Sequence, residues 1–293
     1  MNSSFIFLII FCFFPSQISR CLSQDAGLRS YVEIHGYALG KNYSSGHIVL
    51  KKEDTEEKLF SNIKWRRVCE IPPPANCERI SVEKGSFSEW IRNLPLKETT
   101  EILDYRGERI NPFYKVYAVI DKPLLFKEDL EQCADFAMRF WHDYLRETNQ
   151  IEKLWLPNYW GRKVYWLNWQ RTHPNDSTIS FLKSFMASSN SFSLKQGLKK
   201  IDIDNEKLLP GDLIVQNETG DIGHVSIIFD ICENADGERF YLVGFGFMPA
   251  QECHIIKADE DFGKEGWFTL DGYLKYTQMY LPFGRCEFRR FEE

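Results

Sequence analysis

Over residues 129–146 apolar side chains recur at helical spacing. Phe136, Ala137, Phe140, Trp141, Tyr144 and Leu145 form one stripe, and Asp135, Arg139, Asp143 and Arg146 take the other side. A stripe of this kind has to be buried against a second layer of structure. Asp129 can cap such a helix, with Gln132 reaching back to it. Cys133 then falls in the first turn, at the head of the apolar stripe, where free backbone N–H groups and the helix dipole favour a thiolate. From Pro210 onward the pattern changes to strands. Pro210-Gly211-Asp212 is a turn that launches residues 213–215, and 225–231 and 240–247 follow as antiparallel strands joined through Asn234-Ala235-Asp236-Gly237. Along the second of these, Val225, Ile227, Phe229 and Ile231 point one way, while His224, Ser226, Ile228 and Asp230 point the other. A long amphipathic helix followed by a run of antiparallel strands is an α+β arrangement.

A thiol at a helix start and an imidazole at a strand mouth are the working parts of a cysteine nucleophile and its base. Backbone N–H groups at the helix start can bind the oxyanion that such a nucleophile creates. A third polar group normally orients the imidazole. The strand after His224 offers none, because Phe245 stands where it is expected. Gln251 and His254 lie just beyond, and we assign the orienting role to Gln251.

The remaining sequence sets the frame. Residues 4–14 are an apolar run too short to span a bilayer, so 1–20 reads as a signal peptide, with no transmembrane span in the mature chain. Ile18-Ser19-Arg20-Cys21 has Arg where a lipoprotein signal needs a small residue, which leaves a lipid anchor at Cys21 as the minor option. Residues 21–62 form a polar approach segment, and 63–293 form one domain with its core at about 112–260. Ser86 and Glu89 mark a capped helix ending before Pro95; Arg106-Gly107 is a turn, residues 114–120 alternate as a strand, and 177–198 reads as helix or loop. The chain is 43% hydrophobic, which sets disorder aside, and its net charge of −6 without a basic patch excludes a nucleic-acid partner. An exported chain without Cys12 keeps Cys21, Cys69, Cys77, Cys133, Cys232, Cys253 and Cys286. Most of these are expected to pair in an oxidising compartment, Cys69 with Cys77 closing a small loop. Their spacing does not match a zinc site, so neither metal nor cofactor is expected.

Trp155, Tyr159, Trp160, Tyr165, Trp166 and Trp169 crowd one short stretch. Rings at such density serve the core more often than a groove, by about two to one. As groove residues, Trp160, Arg162 and Trp166 are the candidate substrate contacts.

Gln132-Cys133 opening a helix, Pro210-Gly211-Asp212 leading to a strand, and Gly223-His224-Val225 on the next strand together resemble the papain-like NlpC and CHAP domains of bacterial cell-wall hydrolases. That resemblance implies a papain-like core, a Cys-bearing helix packed on an antiparallel sheet, here with N-terminal and Trp-rich insertions. It implies a cysteine amidase or endopeptidase acting on peptidoglycan peptides, with Cys133 as nucleophile and His224 as base. Ser88-Glu89-Trp90-Ile91-Arg92-Asn93-Leu94-Pro95-Leu96, Gln132-Cys133-Ala134-Asp135 and Met248-Pro249-Ala250-Gln251 resemble an exported bacterial family classed as a domain of unknown function. This second resemblance covers about residues 80–267 and implies a fold and a periplasmic or extracellular location, but no activity. The alternative is a non-catalytic envelope protein of the same fold that binds cell-wall fragments or a protein partner.

Overall fold

The chain is described by a computed structural model over residues 65–292, all within one compact unit. The segments 1–20 and 21–62, with Cys12 and Cys21, lie outside the described residues. In chain order come β1 (Cys77–Arg79), α1 (Phe87–Arg92), β2 (Ile102–Leu103), β3 (Arg109–Ile110), β4 (Val116–Val119) and α2 (Cys133–Glu147). The aromatic stretch forms β5 (Trp155–Pro157), β6 (Lys163–Tyr165) and α3 (Trp166–Thr172), and residues 177–198 form two helices, α4 (Thr178–Ser188) and α5 (Ser191–Gly197). The sheet-forming half follows as β7 (Lys199–Lys200), β8 (Leu213–Gln216), β9 (His224–Asn234), β10 (Arg239–Phe245), β11 (His254–Ile256), β12 (Gly263–Lys264), β13 (Trp267–Thr269), α6 (Leu270–Tyr280) and β14 (Cys286–Arg290).

Ten strands form one sheet with the central order β12-β13-β10-β9-β8-β14-β7, extended by β1 on β9, β11 on β10 and β4 on β11. Every described pairing is antiparallel, as the hairpin signals of the sequence require. This is a mixed α+β architecture with apolar layers on both faces of the sheet. On one face, Phe136, Phe140 and Trp141 of α2 share a core with Val225, Ile227 and Phe229 of β9. On the other, Tyr273 and Tyr276 of α6 share a core with Ile214, Ile228, Val243 and Phe245. Truncating Phe136 or Phe140 to Ala leaves a cavity in the first core, a change that costs about 3–5 kcal/mol.

Helix α2 begins at Cys133 rather than near Asp129. Glu131 is the cause: its buried carboxylate accepts the N–H groups of Leu125 and Phe126 and pairs with Arg139 at 2.7 Å, which holds residues 129–132 out of the helix. Gln132 becomes the cap, and Asp135 Oδ2 accepts its N–H at 3.0 Å. Asp129 is displaced but not idle. Its Oδ1 accepts from Gln132 Nε2 at 3.1 Å and from the Ala250 N–H at 2.7 Å, tying the segment after β10 to the start of α2.

The strict alternation expected along β9 breaks at a bulge. Ile228 lies opposite Val243 but Asp230 lies opposite Leu242, so Phe229 is the extra residue. Past the bulge the faces exchange. Ile231 joins the α6 core, and Asp230 turns to the α1 side, where Arg79 and Arg92 each reach it at 2.6 Å. A fully buried carboxylate needs such partners.

The disulfides expected from the cysteine count are not present among the described residues. Cys69, Cys77, Cys133, Cys232, Cys253 and Cys286 are free thiols, none at bonding distance from another. Cys77 belongs to the first core at the start of β1, whereas Cys69 sits half-buried beside Asn93, so the Pro72-Pro73-Pro74 loop separates them instead of closing. No described helix is long and apolar enough to cross a membrane.

Candidate functional site

Cys133 is the first residue of α2 and 9% exposed, packed in the first core. Burial pushes its thiol up to about 11. The N–H of Val225 opposes that shift, as do those of Ala134 and of Cys133 itself, while the Asp135 carboxylate adds to it. At pH 7 a thiol with that pKa is ionised in on the order of one molecule in 10⁴.

His224 opens β9 and is fully buried. Strand geometry decides where its ring goes. Val225 faces α2 and brings its N–H to the Cys133 sulfur, so the side chain one residue earlier must emerge on the opposite face. There the imidazole meets the rings of Phe245 at 4.6 Å, Phe247 at 5.5 Å and Phe283 at 5.7 Å. Neither ring nitrogen has a hydrogen-bond partner among the described residues. Burial drives its pKa down to about 3, with His254 nearby adding to the effect, so the ring is neutral. The fold therefore brings Cys133 to the backbone of the His224–Val225 pair without bringing the imidazole to the thiol.

Gln251 makes no hydrogen bond to His224, whose ring nitrogens have no partner among the described residues. It is 2% exposed and forms an isolated bridge with Asp104. The hydrogen bonds of its segment run from Tyr105 N–H to Ala250 O and from Glu252 N–H to Leu103 O, which turns that segment toward the β2–β3 hairpin.

The three aromatic-stretch candidates separate. Trp166 is a core residue, 6% exposed, with its ring 5.6 Å from Phe181. Its place at the start of α3 points it inward, into the first core rather than toward a groove. Trp160 and Arg162 instead lie exposed on the tip of the β5–β6 hairpin, Trp160 to 70%. That tip adjoins the loop leading into β9, since Tyr159 Oη donates to Gly220 O at 3.5 Å.

One group escaped sequence reasoning. His254, noted only as a polar neighbour of Gln251, is fully buried and completely paired. Its Nδ1 lies 2.9 Å from the Glu252 carbonyl, which can only accept, so Nδ1 carries the proton and Nε2 accepts from Tyr114 Oη at 2.8 Å. The useful signal was Tyr114 at the head of the alternating segment 114–120, but its pairing with His254 depends on β4 joining β11. Among the described residues no three His, Cys, Asp or Glu side chains gather as metal ligands would.

A family model described as a domain of unknown function (4846) matches residues 68–174 and 157–290. No curated protein and no solved structure matches the chain. With that match spanning most of its length, the chain belongs to the family of the domain of unknown function 4846.

Proposed function

We propose that this is an exported, non-catalytic protein on a papain-like core of the NlpC/CHAP kind, which binds cell-wall fragments rather than cutting them. The papain-like reading is supported by a cysteine opening a helix that packs on an antiparallel sheet, next to a strand that begins Gly-His-Val. Loss of catalysis is supported above all by the placement of His224, whose ring lies across the sheet from Cys133 with both nitrogens unpartnered. A base has to reach the proton it removes. Burial adds to the obstacle, since it keeps the thiol protonated at neutral pH. Binding is supported by Trp160 and Arg162, which stand in solvent near the loop that leads to His224. Export is supported by the apolar run at 4–14.

The test is to incubate the protein with purified peptidoglycan. The expected outcome is retention on the polymer without release of muropeptides, unchanged in Cys133→Ala. Iodoacetamide should label Cys133 at pH 7 at least ~100-fold more slowly in the folded protein than in the unfolded chain. Muropeptide release that disappears in Cys133→Ala would sink the proposal.

One observation favours a second reading, a cysteine amidase or endopeptidase with Cys133 as nucleophile, His224 as base and Gln251 as orienting group. The N–H groups of Val225, Ala134 and Cys133 favour the thiolate, and helix-start donors of this kind suit an oxyanion. It requires the His224 ring to leave its phenylalanine cage and cross to the α2 face. Fast, His224-dependent alkylation of Cys133 would support it.

A further inference from the structure

The tip of the β5–β6 hairpin combines exposure with rigidity. Trp160 is 70% exposed, whereas tryptophans 141, 155, 166 and 267 are buried in the cores. Its backbone is nonetheless fixed. Asn158 Oδ1 accepts the N–H groups of Trp160 at 3.1 Å and Arg162 at 3.0 Å, and Asn158 O accepts that of Gly161 at 2.8 Å. Behind the tip, Ser193 Oγ donates to Tyr159 O at 3.1 Å. Gly161 has φ +80°, and a Cβ there would stand 2.5 Å from the Gln196 Cβ and 2.6 Å from the Gly197 N. The tip is thus clamped onto α5 so closely that only glycine fits at 161.

An indole held out on such a support is a preorganised flat surface. A ligand that lies on it orders little of the protein, so more of the contact energy remains as affinity. Arg162 adds charge. Its neighbour Lys163 is engaged by Glu292 at 2.8 Å, but Arg162 makes no ion pair among the described residues. A guanidinium left free in this way suits a carboxylate, which it can grip with two N–H groups. One free guanidinium matches a single carboxylate, whereas a polyphosphate or an anionic bilayer calls for several cations on one surface.

The geometry points to a glycan-binding platform at residues 158–162, where Trp160 carries the apolar face of an amino-sugar ring and Arg162 takes a carboxylate on that ring or its neighbour. This rests on the binding function proposed above and names its contact surface and ligand class. The experiment uses the full chain with two probes: insoluble peptidoglycan, and its soluble disaccharide fragment with and without the ring carboxylate, followed by titration calorimetry. Trp160→Ala should lower affinity for the acidic fragment at least tenfold, with Trp160→Phe falling between it and the unchanged protein. Arg162→Ala should lower affinity for the acidic fragment several-fold more than for its carboxylate-free analogue. Thermal midpoints of all three variants should match the parent, because the altered side chains are in solvent. If the parent binds peptidoglycan and Trp160→Ala binds it equally well, the platform is refuted while the binding function stands. If the parent does not bind at all, both fall. Trp160-dependent binding to phosphatidylglycerol vesicles in place of the glycan would also overturn the assignment.

Discussion

His254 and His224 share one face of the sheet, flank the same phenylalanine and are both 0% exposed, yet their surroundings could hardly differ more. Phe245 lies 4.6 Å from the His224 ring and 5.3 Å from the His254 ring. His254 donates to Glu252 O and accepts from Tyr114 Oη, so both its nitrogens are satisfied and it ties β4 to β11. The His224 ring lies among Phe245, Phe247 and Phe283, and its nitrogens have no hydrogen-bond partner among the described residues. Burial depresses both, to about 4 for His254 and about 3 for His224, so each is neutral at physiological pH. Burial and charge state thus fail to separate a structural imidazole from one that the fold leaves unused. Partners do. A buried polar group without a hydrogen bond costs about 1–3 kcal/mol, and His224 carries that cost in the folded state.

Replacing each ring by leucine is the sharpest way to break this contrast. His254→Leu removes the hydrogen bonds that His254 makes to the Glu252 carbonyl and to the Tyr114 hydroxyl, so it should destabilise the protein by about 2–3 kcal/mol. His224→Leu removes a polar ring that has nothing to lose, and its effect should lie within about 1 kcal/mol of zero, in either direction. Urea unfolding with unchanged m-values would measure both. A loss above about 2 kcal/mol for His224→Leu would mean that the ring has a partner in solution after all.

The pH dependence gives the next largest effect. Both rings have folded pKa values below the ordinary 6.5, so the unfolded chain takes up their protons first. Their contribution is therefore complete above about pH 6.5 and falls as the pH drops toward about 4 for His254 and about 3 for His224. Between pH 6 and pH 5 each imidazole adds a slope of roughly 1 kcal/mol per pH unit; toward pH 4 the slope from His254 halves while that from His224 persists. In His224→Leu the proton uptake on unfolding in that window should fall by about one relative to the parent. Taking the difference between the two proteins cancels the carboxylates that they share. An equal slope would show that His224 is already charged or already paired.

Much of this arrangement was legible in the amino-acid order. The stripe Phe136, Phe140, Trp141 demanded an apolar partner, and Val225, Ile227 and Phe229 supplied it. That same match already placed His224 on the far side, because neighbouring strand residues face opposite ways. The motif suggested a Cys–His pair while the strand period argued against it, and the period prevailed, since several apolar side chains outweigh one imidazole. What lay beyond the sequence was non-local. The bulge at Phe229 depends on Asp230 meeting Arg79 and Arg92, which lie more than a hundred residues earlier. The shift of the α2 start depends on Glu131 folding back onto Leu125 and Phe126. Trp160 and Trp166 are indistinguishable as letters, and only the hairpin and helix they fall on send one outward and the other into the core.

The smallest and most specific test converts one histidine into a likeness of the other. Tyr114→Phe keeps the ring that stacks on His254 at 5.5 Å and removes only the hydroxyl that donates to Nε2. His254 would then keep its bond to the Glu252 carbonyl while one nitrogen, like both of His224, faced hydrocarbon. The expected cost is about 1 kcal/mol, the net value of one hydrogen bond with its acceptor left buried. A double-mutant cycle with His254→Leu isolates this term, because Tyr114→Phe should cost almost nothing once the acceptor is gone. Equal costs in the two backgrounds would place the worth of Tyr114 in some other contact. His254 would then be held by its carbonyl bond alone, and the contrast with His224 would shrink to that one interaction.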